Sequence, residues 1–328
     1  MFKRTKQVNG KKYHYVEHSF RVKESVKKFS FYAPKGKSLK DFKIINKDTI
    51  QRIVNFKINY IKNNQKTSKF FGYGEQLNKI EEKRAIFLVL SKFLTKSDRQ
   101  EIMDEFLRTF LVNSMAMEGG TISYDVAKAI EEKRKVRLKG INKLDIPLYI
   151  QLKNAYSKLR KTHLRSPKQI KDLHKIIYSG IYPFAGEFRD KEVTFGDLKG
   201  LAFTVEPKNV RKEYKHALQK YYQNKGKIYD FERIIEFHKD LQRVHGFEDG
   251  NSRLSRLIML NELLKLGYPP FLVRGTQSTA YRRSLVKAIN GKDNTALLKF
   301  FYNAYNQTFD KFWLPVLEEK IKDKGLNF

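Results

Sequence analysis

Apolar residues recur at helical spacing over most of the chain, and two segments instead show the pattern of strands. Residues 12–22, KYHYVEHSFRV, alternate aromatic and polar side chains loosely, which is typical of a strand or of one arm of a hairpin. A turn signal follows at residues 34–38, PKGKS. From about residue 40 the apolar side chains return at helical spacing, at Ile50, Ile53, Val54, Ile58, Tyr60 and Ile61. The pattern therefore predicts a small β element followed by helix.

Helices are predicted for most of the chain beyond a break at residues 70–74, FFGYG. A helix through residues 106–111 runs toward the glycine pair 119–120, which would end it because glycine adopts the left-handed backbone of a helix C-cap. Ser123 is predicted to cap the next helix, and Ser-Pro at residues 166–167 to begin another.

Residues 184–207 interrupt this helical pattern. They are rich in Gly, Phe, Val and Thr, and they are predicted to form a β-hairpin that turns at Gly-Asp, residues 196–197. Helices resume afterwards and continue to about residue 320. The predicted fold class is therefore mostly α with one β-hairpin, preceded by a small N-terminal region of strand and helix. We expect a basic N-terminal region at 1–80, helices at 81–135, a core at 136–310 and a C-terminal tail at 311–328.

Composition excludes several classes of protein. The chain has 328 residues, of which 41% are hydrophobic, enough for one large domain or two modest ones. The longest apolar run, residues 85–90, is far shorter than the roughly 20 residues of a membrane-spanning helix. The basic N-terminus has no apolar stretch behind it, so we expect a cytoplasmic protein without a secretory signal. The absence of cysteine excludes disulfides, zinc-thiolate sites and cysteine nucleophiles.

The charge is unevenly distributed along the chain. The formal net charge is +32, and residues 1–80 alone contribute 20 basic and 5 acidic side chains, or +15. An excess of this kind favours anionic partners, so residues 1–80 could bind nucleic acid. A lysine-rich surface that only increases solubility explains the same excess, and no nucleic-acid-reading motif accompanies it. Both interpretations stay open.

Residues 244–256, VHGFEDGNSRLSR, carry the candidate chemistry and lie between two helices predicted to be amphipathic. Backbone N–H groups of Gly250, Asn251 and Ser252 could approach a phosphate at the start of a helix, whose positive dipole end attracts the same anion. Arg253 and Arg256 are three residues apart, so both guanidinium groups could hold successive phosphates.

Two further side chains complete this segment. Asp249 offers a hard oxygen for Mg²⁺, and His245 has the pKa that suits a general base near neutrality. Each feature alone is typical of an ordinary turn or a solvated helix face, but a turn does not require all of them at fixed spacing. A metal-dependent hydrolase built on His216, His238 and His245 has little support because no third ligand has suitable spacing. His238 is predicted to be a packing residue.

The segment resembles the signature of the Fic family, H-P-F-x-D-G-N-G-R-x-x-R. This chain reads HGFEDGNSRLSR and matches ten of the twelve positions, with Gly246 in place of proline and Ser252 in place of the usual glycine. The resemblance extends over roughly residues 100–300 and implies a Fic-type helical bundle with a β-hairpin flap.

Three further segments resemble parts of that family. Residues 186–189, GEFR, followed by Val193, Thr194, Phe195 and Gly196 resemble the flap that pins a target segment by strand addition. Tyr281 resembles the start of the helix that borders the adenine pocket. Residues 114–119, SMAMEG, fit the inhibitory pattern S/T-x-x-x-E-G/N, in which Ser114 and Glu118 end a helix and the carboxylate pairs with Arg256.

The resemblance implies transfer of AMP from ATP to a Ser, Thr or Tyr hydroxyl of a protein, or of the chain itself. His245 would be the general base, Asp249 the Mg²⁺ ligand, and Asn251 with the backbone of 250–253 would stabilise the α-phosphate. Arg253 and Arg256 would hold the β- and γ-phosphates. Hydrolytic removal of AMP by the same site, with Glu118 positioning water, stays open, as do another nucleotide donor and a silent core attached to a nucleic-acid-binding segment. The resemblance also favours a homodimer.

Overall fold

The computed structural model describes residues 2–22, 25–33, 55–56, 59, 68, 74–136, 139–197, 200–291 and 293–323. The predicted turn at 34–38 and the apolar positions predicted as helical between 50 and 61 lie outside these residues. So does most of the predicted break at 70–74.

The N-terminal strands form one antiparallel sheet in the order β1 (Phe2–Val8), β2 (Lys11–Val22) and β3 (Ser25–Ala33). The strand predicted at 12–22 is thus confirmed. Asn9 and Gly10 connect β1 to β2 with positive φ angles of 48° and 74°, the backbone that matches the twist of a two-residue hairpin.

Helices make up most of the rest of the described chain. They are α1 (Glu75–Leu90), α2 (Lys96–Ala116), α3 (Tyr124–Glu131), α4 (Asp145–Leu159), α5 (Pro167–Tyr178), α6 (Val210–Gln223), α7 (Asp230–Val244), α8 (Asn251–Lys265), α9 (Ser278–Gly291), α10 (Thr295–Thr308) and α11 (Leu314–Lys322). Short 3-10 turns precede α6 and α9 at Pro207–Asn209 and Gly275–Gln277. A π-turn, Phe309–Trp313, joins α10 to α11.

The predicted helix ends are largely confirmed. Helix α2 ends at Ala116, and Gly119 adopts a left-handed φ of 83° just beyond it. The hydroxyl of Ser123 accepts the N–H of Val126 as the N-cap of α3. Helix α5 begins with Pro167 in its first turn, as predicted.

One continuous apolar core runs from Leu77 on α1 to Ile321 on α11. Its centre is α8, of which twelve of fifteen residues are buried, so the amphipathic pattern predicted for this helix is wrong. Because other helices cover α8 on nearly every side, its charged residues Arg253, Arg256 and Glu262 are buried, and only Lys265 at its end is exposed. The segment predicted as a C-terminal tail contributes buried Trp313 and Leu317 to this core, and the indole N–H of Trp313 donates to the Pro270 carbonyl at 2.6 Å.

The hairpin predicted at 184–207 is present but shorter, with β4 (Phe195–Asp197) paired to β5 (Gly200–Ala202). The predicted turn at residues 196–197 is wrong, because both residues lie within β4. Gly196 has a φ of 146°, and a Cβ there would lie 2.2 Å from the Gly200 carbonyl oxygen. This glycine therefore permits the close approach of the two strands.

Among the described residues, no helix combines the length and the hydropathy required to span a bilayer.

Candidate active site

The segment singled out in the sequence connects the end of α7 to the start of α8. His245 ends α7 in a left-handed conformation, with φ 44° and ψ 52°, and Gly250 precedes α8 with φ 83°. We call residues 245–250 the α7–α8 loop. Because it leads directly into α8, the unpaired N–H groups of that helix point at the loop, where an anion is favoured.

The imidazole of His245 is oriented by its own helix. Its Nδ1 lies 3.2 Å from the Gln242 carbonyl oxygen, which can only accept, so Nδ1 carries the proton and Nε2 keeps a lone pair. The Phe195 ring of β4 stacks on the imidazole at 4.6 Å. Burial, with a smaller contribution from the nearby charge of Arg189, lowers the pKa of His245 to about 4, although the Gln242 carbonyl and Asp249 act in the opposite direction. The ring is therefore a neutral proton acceptor at neutral pH.

Two buried side chains from outside the loop hold its backbone. Arg189 donates from Nε to the His245 carbonyl at 2.6 Å and from its backbone N–H to the Gly246 carbonyl at 3.0 Å. His174 of α5 accepts the Gly186 N–H at 2.9 Å and donates to the Asp249 carbonyl at 3.0 Å. Burial lowers the pKa of His174 to about 4, so this bridge is uncharged.

Asn251 closes the loop from within. Its side-chain oxygen accepts the Phe247 N–H at 3.0 Å, and its amide donates to the Phe247 carbonyl at 2.7 Å. The resemblance assigned Asn251 to the α-phosphate. Because its side chain is engaged with the loop, only its backbone N–H at the start of α8 is placed for that role.

Gly250 and Arg253 meet the same tyrosine of α5. A Cβ at Gly250 would lie 2.3 Å from the Tyr178 ring, so the loop can approach α5 only with glycine here. The guanidinium of Arg253 donates to the Tyr178 hydroxyl at 2.8 Å. The Asp249 carboxylate lies 3.7 Å from the same guanidinium. Tyr178 therefore fixes the direction of Arg253.

A cavity of about 240 Å³ opens beside the loop. Its walls come from the loop, the start of α8, strand β4, helix α9 and the residues that follow α2. The lining residues are Glu118, Phe195, Gly196, His245, Glu248, Asp249, Gly250, Asn251, Ser252, Arg253, Tyr281, Arg282 and Leu285. Most of the side chains singled out in the sequence thus share one concave site. Val193 and Thr194 precede β4 and do not line it.

Arg256 does not line that cavity itself but packs against α2 and pairs with Glu118, which does. It is 1% exposed, donates to the Ser114 hydroxyl at 2.9 Å and to the Ser114 carbonyl at 2.8 Å, and pairs with Glu118 at 3.0 Å. Arg282 of α9 lies 3.7 Å from the other Glu118 oxygen and donates to the Met117 carbonyl. The two arginines predicted to act as one clamp therefore face different surroundings.

Tyr281 closes the α9 side of the cavity. Its hydroxyl lies 2.8 Å from Nε2 of His238 and accepts from the Gln242 amide at 3.3 Å. Burial raises the pKa of Tyr281 to about 12. His238 is buried in this contact, which confirms its predicted packing role. In the part of the chain that is described, no three His, Cys, Asp or Glu side chains form a metal-binding group, so the hydrolase reading gains no support.

Asp249 has the chemistry expected of a Mg²⁺ ligand. Its carboxylate lines the cavity and is 46% exposed, while one oxygen accepts the Gly250 N–H at 2.5 Å. Mg²⁺ is usually bound by one or two carboxylates together with substrate phosphates and water. A single carboxylate beside the anion-binding end of α8 fits that requirement.

Sequence reasoning missed the residues that hold the loop, namely His174, Tyr178 and the guanidinium of Arg189. His174 and Tyr178 lie on α5 among apolar positions, where histidine and tyrosine are ordinary core residues. In the sequence, Arg189 is distinguished only as part of the segment GEFR. Its near-complete burial, 4% exposed, was the informative property, and no local pattern predicts it.

Known proteins resemble this chain in sequence. Residues 165–263 match the model of the Fic/DOC family. A protein adenylyltransferase Fic of Nematostella vectensis is 25% identical over 247 residues, 73% of this chain and 56% of the relative. A protein of the same name from Drosophila mojavensis is 25% identical over 72% of this chain and 47% of the relative. The chain thus spans about half the length of these curated relatives.

Solved structures share the fold. A Fic-domain signalling protein of Bacteroides thetaiotaomicron superposes with a TM-score of 0.64 at 17% identity, covering 76% of this chain and 97% of its own. A Fic family protein of Desulfovibrio desulfuricans gives 0.62 at 16% identity, covering 78% and 85%. The mostly helical architecture is therefore that of Fic-domain proteins. Residues 165–263 of this chain form a domain of the Fic/DOC family.

Proposed function

We propose that this protein is a nucleotidyltransferase that moves AMP from ATP to a Ser, Thr or Tyr hydroxyl of a protein. The observation that carries the proposal is one cavity in which a neutral His245 with a free Nε2 lone pair lies beside the positive end of α8. The curated relatives named protein adenylyltransferase support the same reaction.

His245 acts as the general base in this proposal. Nε2 accepts the proton of the target hydroxyl as the oxygen attacks the α-phosphorus, and pyrophosphate leaves. The Phe195 ring and the Gln242 carbonyl keep the imidazole in one orientation throughout. No covalent enzyme intermediate is needed.

The start of α8 binds the phosphates. Backbone N–H groups of residues 251–253 face the α-phosphate, where negative charge develops, and Arg253 binds an oxygen further along the chain of phosphates. The Gly250 N–H is not available for this role because it donates to the Asp249 carboxylate. Arg253 needs no reorganisation because Tyr178 already fixes it. Asp249 would hold Mg²⁺, which supplies neutralisation of phosphate charge when it is bound. Tyr281 and Leu285 border the remaining wall, where the base of the nucleotide lies.

The flap presents the target segment. Phe195 and Gly196 of β4 line the cavity beside His245. Asn290 of α9 donates to the Leu201 carbonyl at 2.7 Å and accepts the Phe203 N–H at 3.0 Å, so it occupies the outer edge of β5. A target strand therefore pairs with β4, which brings its hydroxyl toward His245.

Glu118 holds the enzyme in a low-activity state. Its pair with Arg256 occupies the guanidinium that the γ-phosphate requires, while the hydroxyl and carbonyl of Ser114 accept two more N–H groups of that arginine. ATP then binds with its triphosphate in an unproductive position. Loss of the carboxylate frees Arg256 for the phosphate without altering the loop that carries His245.

The test compares the wild-type chain with Glu118→Gly, using α-³²P-labelled ATP and Mg²⁺ and scoring label on the protein. We expect strong labelling only in the variant, and none after His245→Ala is added. If neither labels while both bind ATP, the transfer proposal fails. The reverse reaction is then tested by release of AMP from an AMP-modified protein, in which Glu118 would position water.

Two predicted partners are independent of this activity. Nucleic-acid binding by residues 1–80 predicts a salt-dependent affinity that is lost when those residues are deleted, with labelling retained. A homodimer predicts twice the monomer mass in sedimentation at micromolar concentration.

A further inference from the structure

The peptide unit between His245 and Gly246 is held at both of its edges. The His245 carbonyl accepts from Arg189 Nε at 2.6 Å, and the Gly246 N–H donates to the Tyr214 hydroxyl of α6 at 3.2 Å. Because a peptide unit is planar and rigid, two hydrogen bonds on opposite edges fix its rotation. That rotation sets the ψ angle of His245, which is 52°.

His245 needs such a restraint because its backbone is unfavourable. A residue with a Cβ at φ 44° costs about 1–2 kcal/mol relative to a right-handed conformation. A conformation of this kind persists only where its surroundings impose it. The direction of the imidazole follows from this backbone, so whatever fixes the peptide also aims Nε2.

The buried side chain of Tyr214 is placed to restrain the 245–246 peptide. It is 2% exposed, and its ring packs against Phe188 at 5.5 Å and Phe247 at 6.2 Å. Burial raises the pKa of its hydroxyl, so the group is neutral and can accept the N–H of Gly246. One turn earlier on the same face of α6, Val210 also borders Gly246 at the position that a Cβ would occupy.

Gly246 and Tyr214 fit each other sterically. A Cβ at Gly246 would lie 2.4 Å from the Tyr214 ring and 2.8 Å from Val210. The Fic signature has proline at this position, and proline has neither the N–H that Tyr214 accepts nor room beside this ring. Glycine instead of proline at position 246 therefore makes room for the Tyr214 ring and supplies the N–H that its hydroxyl accepts.

We propose that Tyr214 is a positioning residue for His245. The hydroxyl of Tyr214 fixes the 245–246 peptide by a hydrogen bond to Gly246, the position at which the family signature has proline. This proposal rests on the transferase activity proposed above only in its kinetic consequence. The structural consequence, a single orientation of the His245 ring, is independent of that activity.

The test uses Tyr214→Phe with Tyr221→Phe as the matched control. Tyr221 lies on the same helix, is 4% exposed and donates its hydroxyl to Glu262 at 2.9 Å, remote from the loop. Each variant removes one buried hydroxyl and keeps the ring. In the Glu118→Gly background we expect Tyr214→Phe to lower kcat about tenfold with the KM for ATP within about twofold, since misplacement of the base affects the chemical step. Tyr221→Phe keeps kcat.

A second measurement does not depend on labelling. The ¹⁵N signals of the His245 ring, assigned by their loss in His245→Ala, are recorded in the chain that retains Glu118. We expect one tautomer, protonated at Nδ1, in the wild type and in Tyr221→Phe, and a mixture in Tyr214→Phe. Unchanged ring signals in Tyr214→Phe overturn the proposal, as does an equal loss of kcat in both tyrosine variants. If Glu118→Gly labels nothing, the transferase proposal fails and the ring signals alone decide.

Discussion

Two of the cavity's walls are built in different ways. The α7–α8 loop is held by neutral or buried groups that bond to its backbone, from Arg189, His174 and Asn251. The wall formed by the residues after α2 presents one carboxylate. Glu118 is 24% exposed and is held by ionic contacts of 3.0 Å to Arg256 and 3.7 Å to Arg282.

The difference concerns how readily each contact can be exchanged. Arg189 is 4% exposed where it bonds to the His245 carbonyl, so a nucleotide does not reach this contact to replace it, and the loop has one geometry. A carboxylate on a guanidinium can be replaced by a phosphate oxygen of the same charge and similar geometry. In the proposed function, the loop wall therefore keeps one arrangement for catalysis, whereas the α2 wall exchanges between two.

The largest effect is expected from breaking the loop wall with Gly250→Ala. The new Cβ would lie 2.3 Å from the Tyr178 ring, on a backbone with φ 83°. We expect labelling in the Glu118→Gly background to fall about a hundredfold, because the start of α8 must shift away from the phosphates. Unfolding should be easier by about 1–3 kcal/mol in a denaturant titration.

Gly226→Ala is the matched control for this change. Gly226 has a φ of 76°, but a Cβ there meets nothing within 4 Å. It reproduces the left-handed strain without the clash. Equal loss of labelling in both variants would show that backbone strain, rather than contact with Tyr178, explains the effect.

The next prediction concerns the pH dependence of labelling, which tests whether His245 in the loop wall is buried and neutral. Burial lowers the pKa of His245 to about 4, with Arg189 acting in the same direction and Asp249 against it. The base must be neutral, so kcat/KM of the Glu118→Gly chain should be flat from pH 8 to about 6 and fall only as the pH approaches 4. A tenfold loss already between pH 7.5 and 5.5 would instead indicate an ordinary, solvated histidine.

The smallest effect is expected on the α2 wall, from Arg282→Ala. Arg282 is 36% exposed and contacts both Glu118 and the Met117 carbonyl. Its loss should weaken the hold on Glu118 and raise labelling by roughly two- to fivefold, the range of a partly exposed ion pair. In the Glu118→Gly background the same change should have no effect.

Arg283→Ala removes the same charge from the neighbouring position on α9 and controls for net charge. A fall in labelling when Arg282→Ala is added to Glu118→Gly would contradict the proposal that Arg282 only helps to hold Glu118 in its inhibitory position. It would indicate that Arg282 binds the phosphates directly.

Local sequence signals predicted the ends of helices well and one turn badly. Glycine beyond α2 and the serine caps of α3 and α5 act through bonds within a few residues, so their effect is readable from neighbours. Gly196 was misread because the same flexibility serves a turn or a close approach of strands. Only the pairing with Gly200 distinguishes the two.

The sequence by itself determined which chemical groups this protein brings to its site and where the α7–α8 loop begins and ends, because helix ends and turn residues act locally. The tertiary structure decided what those groups face. Arg253 and Arg256 look equivalent in the sequence, but one meets Tyr178 beside the cavity and the other meets Ser114 and Glu118. Those partners lie 75 or more residues away, and only the packing of α2 and α5 around α8 brings them into contact.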